Sequence, residues 1–289
     1  MVQFSGQMTY MVIIIALGIA LGADNVLLGQ ISQGFCVPVL IFLWGFGWFK
    51  FFPKVEAKRK LPEGENLYKA GFKQLYRTWK KINSNYKNSL RWYFLALTFA
   101  EAGANAFTVC AVTFLVEVVQ MSGIETGIVF FVVLLFCIPG AKLSELVAKK
   151  TNFITAWKLN MIYFVIITAV FSFVLGSGTK IVTYVAAVFW GIALGWFYPA
   201  ENGLFATMVP EAQATEMAGL YNFCTLIISW IPPFVFTAMN EADVPLSYGL
   251  LHLVAYLLTA VAFLQIMPSW DETLKESLGN REPTVDEVA

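Results

Sequence analysis

Residues 92–116 read WYFLALTFAEAGANAFTVCAVTFLV. This run exceeds the roughly 20 apolar residues that a helix needs to cross a bilayer, and Glu101 is its one acidic or basic side chain. In lipid every backbone polar group must be satisfied within the segment, so the run predicts a transmembrane helix. Working outward, comparable stretches lie at roughly 8–24, 31–52, 126–148, 157–176, 181–206, 217–240 and 246–267, which makes eight candidate spans. The first is short and contains glycine. The composition agrees: 58% of residues are hydrophobic and 13% charged, against about 25% charged in an ordinary soluble domain, which excludes a water-soluble single domain. The 19 basic residues balance 19 acidic ones, so no positive excess points to nucleic acid as a partner.

Between the second and third spans, residues 53–89 form a hydrophilic linker with Pro62-Glu63-Gly64-Glu65 as a turn signal. Within it Tyr68, Phe72, Leu75, Tyr76, Trp79 and Ile82 recur at helical spacing, and Lys69, Lys73, Arg77, Lys80 and Lys81 fill most other positions. Two readings fit: an amphipathic helix on the membrane surface, or a solvated basic connector that fixes topology. If the eight spans alternate, 18 of the 19 Lys and Arg residues fall on one face and only Lys180 on the other. The positive-inside rule makes the 18-residue face cytosolic, together with both chain termini and the acidic tail, residues 269–289.

The four cysteines lie inside apolar stretches without metal-ligand spacing and read as small buried hydrophobes. The chain has no nucleophile elbow, no paired-histidine zinc motif, no phosphate loop and no dinucleotide fingerprint. It is therefore read as a non-enzyme that needs no cofactor and binds no metal.

A charged side chain near the bilayer centre costs about 2.5–3.5 kcal/mol on insertion scales, so one that persists usually faces the protein interior or a water-filled path. Glu101 lies roughly 15 Å into its span by helix rise. Thr98, Glu101, Asn105 and Thr108 share one helix face, with Gly103 and Ala104 beside them. Two roles are open for Glu101: a carboxyl that binds a proton or a substrate ammonium, or a protonated carboxyl that only joins neighbouring helices. Asn222, Thr225 and Ser229 form a second polar stripe, followed by Pro232-Pro233, which should break or bend the seventh span. His252 is the only histidine and stands between Tyr248 and Tyr256. It is either a sensor of an acidic compartment or a satisfied structural residue. In the sixth span Gly191, Gly195 and Pro199 precede Glu201 and Asn202. Helix rise from Ile181 puts Glu201 roughly 30 Å along, near the cytosolic end, so Pro199 and Glu201 read as gating or capping residues.

The six spans after the linker resemble the carboxy-terminal half of a major facilitator superfamily transporter. Gly140-Ala141-Lys142-Leu143-Ser144-Glu145, followed by Lys149-Lys150, resembles that superfamily's cytosolic loop motif, with Ser144 where an acidic residue is usual. Residues 195–201 (Gly195-Trp196-Phe197-Tyr198-Pro199-Ala200-Glu201), Phe205-Ala206, Pro210, Gly219-Leu220-Tyr221, Trp230, Pro233 and residues 236–241 resemble the autophagy-related vacuolar amino-acid effluxers. The Glu101–Gly103 neighbourhood is similar to that family's acidic-glycine position. The resemblance covers about residues 90–268. It implies an all-α integral membrane protein of the major-facilitator type, with residues 1–52 as the last two helices of a first bundle, 53–89 as linker and 90–268 as a second, six-helix bundle. It further implies a vacuolar or lysosome-like membrane, a small solute such as an amino acid as partner, and a second chain or further helices to complete the path.

The sequence thus predicts a transporter that moves a small polar solute by alternating access, with Glu101 as coupling or substrate-binding carboxyl. Asn105, Thr108, Asn222, Thr225, Ser229 and His252 supply further polar groups, and Pro199, Glu201, Pro232 and Pro233 mark gates. A non-transporting scaffold or receptor, or an inactive half-transporter, is the alternative.

Overall fold

A computed structural model of the chain describes residues 2–22, 24–51, 66–85, 89–209 and 214–279. The regular elements among them are α-helices: α1 (Val2–Leu21), α2 (Asn25–Phe51), α3 (Leu67–Asn85), α4 (Ser89–Glu117), α5 (Gly123–Lys150), α6 (Phe153–Val174), α7 (Lys180–Met208), α8 (Ala214–Leu226), α9 (Ile231–Glu241), α10 (Leu246–Ile266) and α11 (Trp270–Gly279). Seven described segments are long and apolar enough to cross a membrane, with α8 and α9 contributing one of them, Glu216–Glu241. The chain is an all-helical membrane bundle, as expected. The first expected span is α1, whose apolar part, Gly6–Leu21, falls short of a full crossing length. The turn at Pro62-Glu63-Gly64-Glu65 and the tail beyond Gly279 lie outside the described residues.

Two helix pairs form the frame of the bundle. α5 and α7 approach backbone to backbone: a Cβ added at Gly195 would lie 2.1 Å from the Cys137 carbonyl oxygen, and one at Gly191 or Gly140 would lie 2.4 Å from the carbonyl of Val133 or Ile192. Only glycine fits there, the small-residue packing that replaces the hydrophobic effect between helices in lipid. α4 and α10 form the other pair. Leu250, Leu253, Leu257, Ala260 and Leu264 recur every three or four residues along α10 and are buried, and Leu257 and Tyr256 pack onto Gly103 of α4. α6 bridges the pairs by packing on both α7 and α10, and α1 packs on α5. Trp157, Tyr93, Phe94, Phe114, Phe164 and Phe197 fill the centre.

The helix ends sort to two faces. At one end Ser277 of α11 donates to the Thr207 carbonyl of α7 at 3.0 Å, Ser89 of α4 meets Glu276 of α11, and Gln74 of α3 donates to Glu216 of α8 at 2.9 Å. At the other end Ser122 and Glu125 form a capping box on α5, and Glu125 also pairs with Lys180 of α7 at 2.8 Å. Lys180, the lone basic residue of the charge-poor face, is thus neutralised by a capping carboxylate.

Two expectations need correction, and a third is sharpened. Gly140–Lys150 is not a loop: it is the last part of α5, which runs to Lys150 and is followed at once by Asn152, the N-cap of α6. Cys36 is exposed, because α2 is largely uncovered, whereas Cys110, Cys137 and Cys224 are buried. The seventh span is broken, as Pro232-Pro233 predicts, and not merely bent. The break falls just before them, at 227–230, and they sit in the first turn of α9, where the backbone N–H groups have no intrahelical acceptor to lose.

Candidate functional site

Glu101 of α4 is 4% exposed and Glu201 of α7 is 0% exposed, and their carboxyl groups lie in side-chain contact. Asn105, one turn along α4, donates its Nδ2 to Glu101 Oε2 at 2.8 Å. The Tyr221 hydroxyl, from α8, donates to Glu201 Oε1. Glu201 Oε2 is buried and has no N–H or O–H donor among the described residues. Among the described residues neither carboxyl is in an ion pair with a basic side chain.

This arrangement constrains the proton count. A carboxylate oxygen only accepts, so two carboxyls form a hydrogen bond only when one carries a proton. Two ionised carboxylates side by side in an apolar interior repel each other and lack solvation. The contact is therefore satisfied with one proton between the two side chains. Without that proton it requires separation, water or a cation.

Aromatic side chains enclose the pair. Tyr93 and Tyr221 flank Phe205, with ring centroids 6.1 Å and 4.8 Å from it, and the buried Tyr93 hydroxyl has no hydrogen-bond partner. Tyr198, one turn before Glu201 on α7, lies within electrostatic reach of both carboxyls. It also lines a cavity of about 510 Å³ walled by α1, α4, α5 and α7. Thr108, Phe107, Phe130 and Trp190 line the same cavity, and Gln7 and Tyr10 of α1 line it too. The Trp190 Nε1–H is buried without an acceptor. The cavity is mainly apolar, with a few polar groups on its wall and a carboxyl pair behind Tyr198, the usual make-up of a small-molecule site.

The structure brings together some of the residues singled out in the sequence and separates others. Glu101 and Asn105 are bonded, and Thr108 reaches the cavity, although its hydroxyl donates to the Asn105 carbonyl at 2.7 Å. Glu201, seven residues before the end of α7, is buried in the core beside Glu101. Pro199 remains inside the continuous helix α7 and lines a groove with Lys142, Ser144 and Phe153. Asn222 is exposed, Thr225 donates to the Asn222 carbonyl of its own helix and Ser229, in the break after α8, to the Leu226 carbonyl, each at 2.9 Å, so this stripe does not join the carboxyls. On α8 it is Met217, Leu220, Tyr221 and Cys224 that turn inward. His252 of α10 contacts the carbonyls of Gly249 and Pro232, the latter at 3.1 Å, and so ties α10 to the start of α9, away from the carboxyl pair.

Tyr93, Tyr198, Trp190 and Tyr221 were not among the expected site residues. For Tyr221 a signal existed: it lies seven residues after Ala214, and Glu201 lies seven residues before Met208. The reversal between α7 and α8 therefore puts the two at similar depth. Tyr198 also lies one turn from Glu201 on the same helix.

A family model described as "Vacuole effluxer Atg22 like" matches residues 1–272. No curated protein matches the chain.

Proposed function

The chain belongs to the vacuole effluxer Atg22-like family, a major facilitator-type transporter family, and from that premise we propose that it exports amino acids to the cytosol by alternating access. The Glu101–Glu201 pair would be its proton-coupling element. The observation that carries this reading is the buried carboxyl contact beside the cavity of about 510 Å³. The rings of Phe107, Phe130 and Trp190 suit an apolar side chain, and Gln7, with the Tyr10 hydroxyl that also bonds Ser32, offers partners for the polar end of an amino acid. Gln7 and Tyr10 come from α1 and the rest from α4, α5 and α7, which agrees with α1 and α2 belonging to a first bundle and α4–α10 to a second.

In this cycle the proton bound between Glu101 and Glu201 holds α4 against α7. Its departure leaves two adjacent carboxylates, which separate or admit water and so favour the other orientation of the cavity. The reciprocal holds: an orientation that brings the carboxyls together recruits the proton.

The test is transport by the full chain in proteoliposomes under an imposed pH gradient, with a panel of labelled amino acids. Glu101→Gln and Glu201→Gln are each expected to lower gradient-driven flux by about tenfold or more, consistent with the roughly 1.5–3 kcal/mol of a hydrogen bond to a charged group. Unchanged pH dependence in Glu101→Gln would remove the coupling role. Loss of thermal stability without selective loss of flux would favour the scaffold reading instead.

A further inference from the structure

Helix α3 carries a surface that the transport reading does not use. Tyr68, Phe72 and Tyr76, spaced by four residues, share one face and are 79%, 69% and 70% exposed. The neighbouring edge of the helix is anchored: Leu75 and Trp79 pack against the core, and Gln74 and Thr78 both donate to Glu216 at the start of α8. On the other side of the aromatic row, by helical phase, lie Lys69, Lys73, Arg77 and Lys80. Beneath the row a groove of about 360 Å³ runs between α3, α4 and α8, lined by Phe72, Tyr76, Leu220 and Ile227 among other apolar side chains.

We propose that α3 docks onto an anionic lipid leaflet, with Tyr68, Phe72 and Tyr76 at the boundary between headgroups and acyl chains and Lys69, Lys73, Arg77 and Lys80 on headgroup phosphates. Three observations select this occupant. A row of exposed large aromatics marks an interface, and a solvated connector gains nothing from it. Aromatic side chains next to a basic flank match the layered chemistry of a charged bilayer surface, apolar below and anionic above. The position is also right, because α3 is fixed to the bundle end where α4 and α8 begin, so its exposed face stays at the level where membrane-spanning helices leave the lipid. The groove under Phe72 and Tyr76 gives one acyl chain a place against the protein. The inference rests on the chain being embedded in a membrane and not on what it transports.

The experiment is amide hydrogen exchange on the full chain in nanodiscs of phosphatidylcholine alone and of phosphatidylcholine mixed with phosphatidylserine, with exchange of α4–α7 as the internal control for folding. Amides of α3 are expected to exchange at least about tenfold more slowly in the anionic discs. The difference should vanish in a variant with Lys69, Lys73, Arg77 and Lys80 all changed to Gln, and also in Tyr68→Ser/Phe72→Ser/Tyr76→Ser. Equal exchange of the unmodified chain in both lipids overturns the proposal without recourse to any variant. So does protection produced by inorganic phosphate in neutral discs, which would indicate a free-anion site, or protection that follows protein concentration instead of lipid charge, which would indicate a second copy.

Discussion

Tyr221 is the one neutral donor that reaches Glu201. Changing it to Phe strands Glu201 Oε1, and the carboxyl keeps only the proton it shares with Glu101. Stranding a buried acceptor costs about 1–3 kcal/mol. Tyr221→Phe is expected to lower unfolding stability in detergent by that amount, and Tyr221→Phe combined with Glu201→Gln by less than the sum of the single changes. A double-mutant cycle read by thermal unfolding measures the difference, and strict additivity would mean that the two side chains do not interact. Glu101 was legible in the sequence because it is the one charged side chain in a run of 25 residues. Its pairing with Glu201 was not legible. Counting rise from Ile181 assumed that every helix enters the membrane at the same level, whereas twelve residues separate Ser89 from Glu101 and only seven separate Glu201 from Met208. The two meet because α4 and α7 are offset along their axes. Depth in a helix can be counted from sequence, but depth in a bundle depends on packing.

At the scale of elements, the α5–α7 contact depends on three glycines. Gly195→Ala puts a methyl group where the Cys137 backbone stands, and backbone cannot turn aside as a side chain can. It is expected to destabilise the chain by about 1–3 kcal/mol through helix separation. Gly176→Ala, in the turn before α7 with open space around it, should be near neutral in the same unfolding measurement. The span positions were legible from apolar runs, and the seventh span's interruption from Pro232-Pro233. Its exact place was not, since a proline pair both ends one helix and starts the next, and only the tertiary setting decides between these. The polar stripe of Asn222, Thr225 and Ser229 misled for a related reason. Hydroxyls in a helix readily bond the carbonyl three or four residues back, so a stripe of them need not face a site.

For the whole molecule, the described ends of α3, α4, α8 and α11 and the end of α7 gather at one face, and the starts of α5 and α7 meet at the other through Glu125 and Lys180. In sealed membrane vesicles with the cytosolic face outward, and with Cys36 replaced by Ser to remove the exposed native thiol, an impermeant maleimide is expected to label Lys150→Cys from outside. Ser177→Cys, in the turn before α7, should label only after permeabilisation. Labelling in the opposite order would invert the orientation. The two helix pairs of the frame bear on how such a molecule moves. Glu101 belongs to the α4–α10 pair and Glu201 to the α5–α7 pair, each locked internally by close packing. On the proposed coupling, a proton placed between them would act on two blocks and not on two side chains. Its gain or loss would be a force applied at a seam, and each block would transmit it as a lever to both of its ends.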